Sequence, residues 1–274
     1  MPDPIAINYS REFGWSGTLT ALISPDQEDS VVVMTHNFDG GTEIGKYRTS
    51  LPPGEFSRAL DALRRSGYDR LPGPSKPVPP ETCFLNVGER REGEPVPTMR
   101  GFVLPHLPDP VAVLRDELEA GPIAEIRKHR ARVVSGRAAW LKQVFDPREP
   151  LAGRVKLVST GTLPVVIGNP LDPNLAWTGL GLALRNTSGE EDGVRLTPVH
   201  LRPPPGAPQS GEATLAPGGI LEFTFEKKVY LPAGTYEGHL LYRNMILRDG
   251  DPQFVEGELS MPLGPVTIES PRRW

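Results

Sequence analysis

The sequence predicts two unlike halves. An α+β N-terminal domain, residues 1–149, combines an antiparallel strand meander with about three helices, and an all-β C-terminal domain fills residues 150–274. Three observations carry this. Apolar residues at helical spacing occur only ahead of the segment Asp146-Pro147-Arg148-Glu149-Pro150. Beyond it, short apolar runs are punctuated by Gly, Pro, Asn and Asp about every dozen residues, the pattern of an antiparallel sandwich. Proline and glycine, 32 and 29 of 274 residues, are too frequent for long elements, because proline interrupts ladders and helices alike.

Residues 5–50 read as strands. Ile5 and Ile7 alternate, Trp15, Leu19 and Ile23 recur in a Thr-rich stretch, and Val31–Met34 follow the polar turn 24–30 as a buried run. Asp39-Gly40-Gly41 marks a hairpin, since glycine supplies the positive φ of such turns, and residues 44–49 return. Pro52-Pro53 pre-set φ for a first helix. Its Phe56, Leu60 and Leu63 share one face, and Gly67 suits a left-handed C-cap. The proline-rich run 71–80 is a stiff, solvated connector. Strands are expected near 82–88 and 98–104, on either side of a charged turn. Asp109-Pro110 opens a second helix with Val111, Leu114 and Leu118 on its apolar face, ended by Gly121-Pro122. Ile126, Val133, Val134, Leu141 and Phe145 predict a third helix over 123–145.

In the second half, strands are expected at 154–158, 163–167, 178–185, 194–200, 213–215, 220–229, 235–243 and 254–261. Residues 219–225 alternate in and out. The run Pro232-x-Gly234-x-Tyr236 resembles the approach to a strand in immunoglobulin-like and fibronectin-like sandwiches, where the tyrosine braces a corner. That resemblance implies an immunoglobulin-like architecture and no activity.

Net charge is −4, shared about equally by the two halves, so neither is a general polyanion binder. No window approaches the roughly 18 apolar residues of a membrane span. Met1–Ser10 lacks the basic and apolar regions of a secretory signal. The one cysteine, Cys83, permits no intrachain disulfide and reads as a buried structural thiol. The cytoplasm is the expected compartment.

Few residues carry chemistry. Gly40-Gly41-Thr42-Glu43-Ile44-Gly45-Lys46 has the glycine and lysine spacing of a phosphate loop. However, Tyr47 stands where Ser or Thr would ligate Mg²⁺, and the following residues read as strand. The five histidines, His36, His106, His129, His200 and His239, show no metal-ligand spacing, so no metal or cofactor is expected. The strongest charge feature is Arg127-Lys128-His129-Arg130-Ala131-Arg132, continuing to Arg137 and Lys142 without a carboxylate. Placed on the third helix, it makes Arg127, Lys128, Arg130, Arg132 and Arg137 the binding candidates.

The expectation is therefore a non-enzymatic binding module, of adaptor or immunity type, with a protein partner. A hydrolase with dispersed residues, His36, Asp39 and His106 first among them, is the alternative. Nucleic acid or an anionic surface, held through 127–142, is the less favoured partner.

Overall fold

The computed structural model describes residues 4–13, 18–25, 28–35, 42–72, 83–93, 98–172, 178–203, 211–244 and 253–270. Trp15, His36, Asp39, Gly40, Gly41 and prolines 74–80 lie outside them. The chain divides into two compact units, Met1–His36 with Gly45–Ala131, and Asn37–Ile44 with Arg132–Trp274.

The first unit is built on an antiparallel sheet. Its strands are β1 (Pro4–Phe13), β2 (Thr18–Ile23), β3 (Asp29–Met34), β4 (Glu43–Ser50), β5 (Cys83–Arg91) and β6 (Thr98–Val103), in the order β4-β3-β2-β1-β5-β6. Period-two alternation puts Ile7, Tyr9, Ala21, Ile23, Val32, Tyr47, Leu85 and Val87 in the core. Helix α1 (Glu55–Ser66) follows Gly54 at φ 85° and stops at Gly67 at φ 58°, whose N–H bonds the Arg64 carbonyl. It buries Phe56, Leu60 and Leu63 and packs against α2 (Asp109–Leu118), which buries Val111, Leu114 and Leu118. The chain then widens into one π-type turn, Glu119–Ile123, kinked at Gly121-Pro122, and ends in the single turn α3 (Ala124–Arg127). That turn contacts β2, and α3 contacts β3. Glu119 reaches back from it to accept the Tyr9 hydroxyl and, at 3.3 Å, Arg11 Nη1.

The expected α+β domain with three helices is not what forms. The fold is mainly β, and among the described residues only α1 and α2 exceed one helical turn. The predicted third helix, 123–145, holds instead α3 and the strand β7 (Arg130–Trp140). Lys46 lies in mid-strand on β4, so no helix N-terminus follows the phosphate-loop spacing. Cys83 begins β5 as a half-buried free thiol rather than a buried one. No helix among the described residues is long and apolar enough to cross a membrane.

The second unit is a β-sandwich. One sheet contains β7, β9 (Leu151–Ser159), β13 (Leu201–Arg202) and β15 (Ile220–Lys227), in the order β13-β15-β9-β7. The other contains β8 (Val144–Phe145), β11 (Thr178–Asn186), β12 (Glu191–Leu196), β16 (Gly234–Asn244) and β17 (Gly257–Ile268), in the order β12-β11-β16-β17-β8. A two-stranded sheet, β10 (Val165–Gly168) with β14 (Glu212–Leu215), completes it. Val134, Val155, Leu157, Phe223 and Phe225 from the first sheet share one core with Leu180, Leu182, Leu184, Leu240, Tyr242, Leu259 and Met261 from the second. The sheets approach closely where Gly136 faces β17, since a Cβ there would lie 2.4 Å from Met261 Sδ. The Tyr236 hydroxyl donates to the Pro232 carbonyl at 3.0 Å, which braces the corner into β16.

Candidate functional site

The basic segment does not lie on one element. Arg127 closes α3, and Lys128 Nζ bonds Glu125 Oε2 at 2.5 Å, a hydrogen bond that holds the Glu125 carboxyl below the usual carboxylate range. Arg130 opens β7 and is exposed. Arg132 Nε donates to the Pro164 carbonyl at 3.2 Å. Arg137 projects from β7 to solvent with no ion pair among the described residues. Arg127, Lys128 and Arg130 belong to the first unit, Arg132 and Arg137 to the second. Of the hydrolase candidates, His36 and Asp39 lie outside the described residues, and His106 is an exposed residue ending the 3-10 turn Leu104–His106.

A better-formed feature lies on the solvent face of the five-stranded sheet, and alternation builds it. Leu180, Leu182 and Leu184 of β11 point into the core, so Gly179, Gly181, Ala183 and Arg185 point out. Register sets Ala183 between Gly193 of β12 and His239 of β16, and Gly181 opposite Leu241, which itself faces Ser260 of β17. Small residues down the middle of the sheet thus leave a groove of about 420 Å³, lined by Ala183, Arg185, Glu191, Glu237, His239, Leu241 and Ser260. Its floor is apolar and its rim carries both signs of charge. Arg185 Nη2 turns to Glu191 at 3.2 Å, although Glu237 is its direct partner across β16. The side chains of Glu237 and His239, whose backbones pair within the sheet, make no hydrogen bond or ion pair among the described residues. Nor does any hydrogen bond among them join Ser260 to His239.

His200 ends the 3-10 turn Pro198–His200, just before β13, and sits between Thr197 and Lys227. Lys227 Nζ lies 3.0 Å from Nε2, while Nδ1 accepts the Thr197 backbone N–H at 3.1 Å and lies 2.8 Å from Thr197 Oγ1. Burial first, then the Lys227 and Arg202 charges, hold the His200 pKa below its ordinary value. The neutral ring is thus favoured in the folded protein. The stability it contributes is complete above about pH 6.5, the unfolded value, and is lost as pH falls below it. The urea midpoint is expected to drop between pH 7.5 and 5.5, and to drop less in His200→Gln. Equal slopes in the two proteins would remove His200 from this pH dependence.

Sequence reasoning missed the groove, although its signal was there: Gly179, Gly181 and Ala183 alternate with three leucines. No family model matches this sequence, and no curated protein matches it. Among solved structures, it is similar to an alkylpurine DNA glycosylase of Pseudomonas fluorescens bound to abasic-site DNA, at 13% identity and TM-score 0.26, over 48% of this chain and 30% of that one. It is similar to the sporulation control protein Spo0M of Bacillus subtilis at 17% identity and TM-score 0.28, over 50% of this chain and 49% of that one. It is also similar to the SafD adhesin of Salmonella at 12% identity and TM-score 0.28, over 50% of this chain and 99% of that one. The chain spans less than half the length of the first two.

Proposed function

We propose that the protein is a cytoplasmic, non-enzymatic binding module, of adaptor or immunity type, that recognises a protein partner through the groove on its five-stranded sheet. The observation that supports this is the groove itself. It is an open depression on a sheet face, with an apolar floor of Ala183 and Leu241, and with Glu237 left without an ion pair among the described residues at its rim. A long basic side chain of a partner fits this chemistry. Its stem lies over the floor and its cation meets Glu237.

Filling the depression without touching the core tests the reading. Ala183→Arg, on the outward face of β11, is expected to abolish recovery of the partner that the wild-type chain retains from its native lysate. Glu237→Lys is expected to weaken it at least tenfold in a titration with the purified partner, while Asp61→Lys, at an exposed position on α1 of the first unit, leaves it unchanged. Equal recovery by the wild type and Ala183→Arg would remove the groove from partner binding.

A further inference from the structure

The outward face of the other sheet carries a different chemistry, written by register. Three rows of side chains cross its strands. Ser135, Val158 and Ile220 form the first, Arg137, Lys156 and Glu222 the second, and Ala139, Arg154, Thr224 and Arg202 the third. Neighbours within a row stand roughly 5 Å apart, and successive rows roughly 7 Å apart along the strands. The intervening residues, among them Gly136, Val155, Leu157, Leu221 and Phe223, face the core.

Four cations and one carboxylate therefore share these three rows, with Glu226 one row further along β15, on a chain whose net charge is −4. Glu222 is already engaged by Lys156 at 3.0 Å and Arg154 at 3.4 Å. Arg137 has no ion pair among the described residues, and Arg202 uses Nη1 on the Val199 and Leu201 carbonyls. The positive charge is left for an outside partner. Beside it, the first row ends in Ile220, which is 55% exposed.

We propose that this face binds an extended acidic segment of a partner protein, with carboxylates at alternate positions followed by an apolar residue. An extended chain presents every second side chain on one face, roughly 7 Å apart. That matches the spacing between the Arg154 row, the Arg137–Lys156 row and the Ile220 row. None of the three rows holds an aromatic residue, so the stacking that holds single-stranded nucleic acid is not offered. The inference rests on the protein-binding reading but uses the sheet opposite the groove.

The probe is a fluorescein-labelled peptide, Glu-Thr-Glu-Thr-Ile-Thr, followed by anisotropy against the full chain at low and at physiological salt. Binding is expected to weaken with salt, as screening over roughly 10 Å requires, and to fall at least tenfold in the double variant Arg137→Glu, Lys156→Glu. The neutral pair Arg137→Gln, Lys156→Gln keeps the fold and should give an intermediate loss. A peptide with the two glutamates adjacent should bind more weakly than the alternating one. Ala183→Arg should bind it as the wild type does, so failure of the groove and failure of this face are told apart. The proposal is overturned if a Gln-for-Glu peptide binds equally well, or if the double variant binds like the wild type. Tighter binding of oligo-dT or of phosphatidylserine vesicles than of the peptide overturns it equally, by assigning the face to another polyanion.

Discussion

Asn244→Ala is expected to destabilise the second unit by about 3–5 kcal/mol, the sum of several buried groups left unpaired. Asn244 ends β16 and is completely buried. Its Oδ1 accepts the Gly168 N–H at 3.1 Å and the Thr178 hydroxyl at 3.3 Å, and its Nδ2 donates to the Val255 carbonyl. One amide thus ties β10, β11 and the segment before β17 to the end of β16. The ladders of β16 end here, with Asn244 opposite Thr178 and Gly257, and the amide adds the ties to Gly168 and Val255 that those ladders do not supply. Alanine strands two donors and one acceptor in a site with little room, since a Cβ on Gly168 would already lie 2.3 Å from Thr178 Oγ1. The Tyr242 hydroxyl, which donates to the Gly168 carbonyl at 2.7 Å, does not change partners and cannot compensate. Asn244→Asp keeps both acceptor contacts but offers Val255 no donor and buries a charge, so it should be worse than Ala at neutral pH and recover on acidification. Urea unfolding of the three proteins at pH 7 and pH 5 measures this. A loss below about 1 kcal/mol for Ala would mean that water replaces the amide.

The parts of this fold that the sequence made legible are those whose periodicity was undiluted. Phe56, Leu60 and Leu63 with Gly67 define α1 almost to the residue, and Leu180, Leu182 and Leu184 define β11. Strand β7 was illegible as a strand because its inward positions include Gly136, kept small by Met261 of the facing sheet, and Ala138, and neither adds much to a hydrophobic pattern. Val133 and Val134 are both buried, which obscures the alternation further. Reading that stretch as helix then placed Arg127, Lys128, Arg130, Arg132 and Arg137 on a single element. In fact the helix stops at Arg127, and Arg137 is the basic residue that joins a patch. Its companions Arg154, Lys156 and Arg202 are brought beside it only by strand pairing. No local pattern announces such a surface, since each contributing strand shows one or two ordinary outward charges. The groove follows the same logic, with its floor visible on β11 and its rim supplied by strands distant in sequence.

Trp140→Ala should cost about 2–3 kcal/mol, less than the roughly 3–5 kcal/mol of a fully buried aromatic, because the indole is half-buried. Trp140 ends β7 and reaches across the sandwich. Its Nε1 donates to the Gly264 carbonyl at 3.0 Å, and its ring meets Phe145 and Phe225 edge-on, at centroid distances of 6.2 and 6.0 Å. The indole lies against Gly238 of β16, where a Cβ would come within 2.5 Å of Cζ2. The glycine is small because the tryptophan is large, and this makes the contact testable as a pair. Trp140→Phe keeps the apolar contact but loses the N–H and part of the ring, and should cost less than Ala. Gly238→Ala in the wild-type background overpacks the site, with an expected loss of about 1–3 kcal/mol. In the Trp140→Phe background the same added methyl enters the space the indole vacated, so most of that loss should vanish. The coupling energy of the double-mutant cycle, read from urea unfolding, is then expected to favour the pair by about 1 kcal/mol or more. Additive effects would mean that Gly238 is required by the register shift in the β16–β17 pairing beside it rather than by the indole.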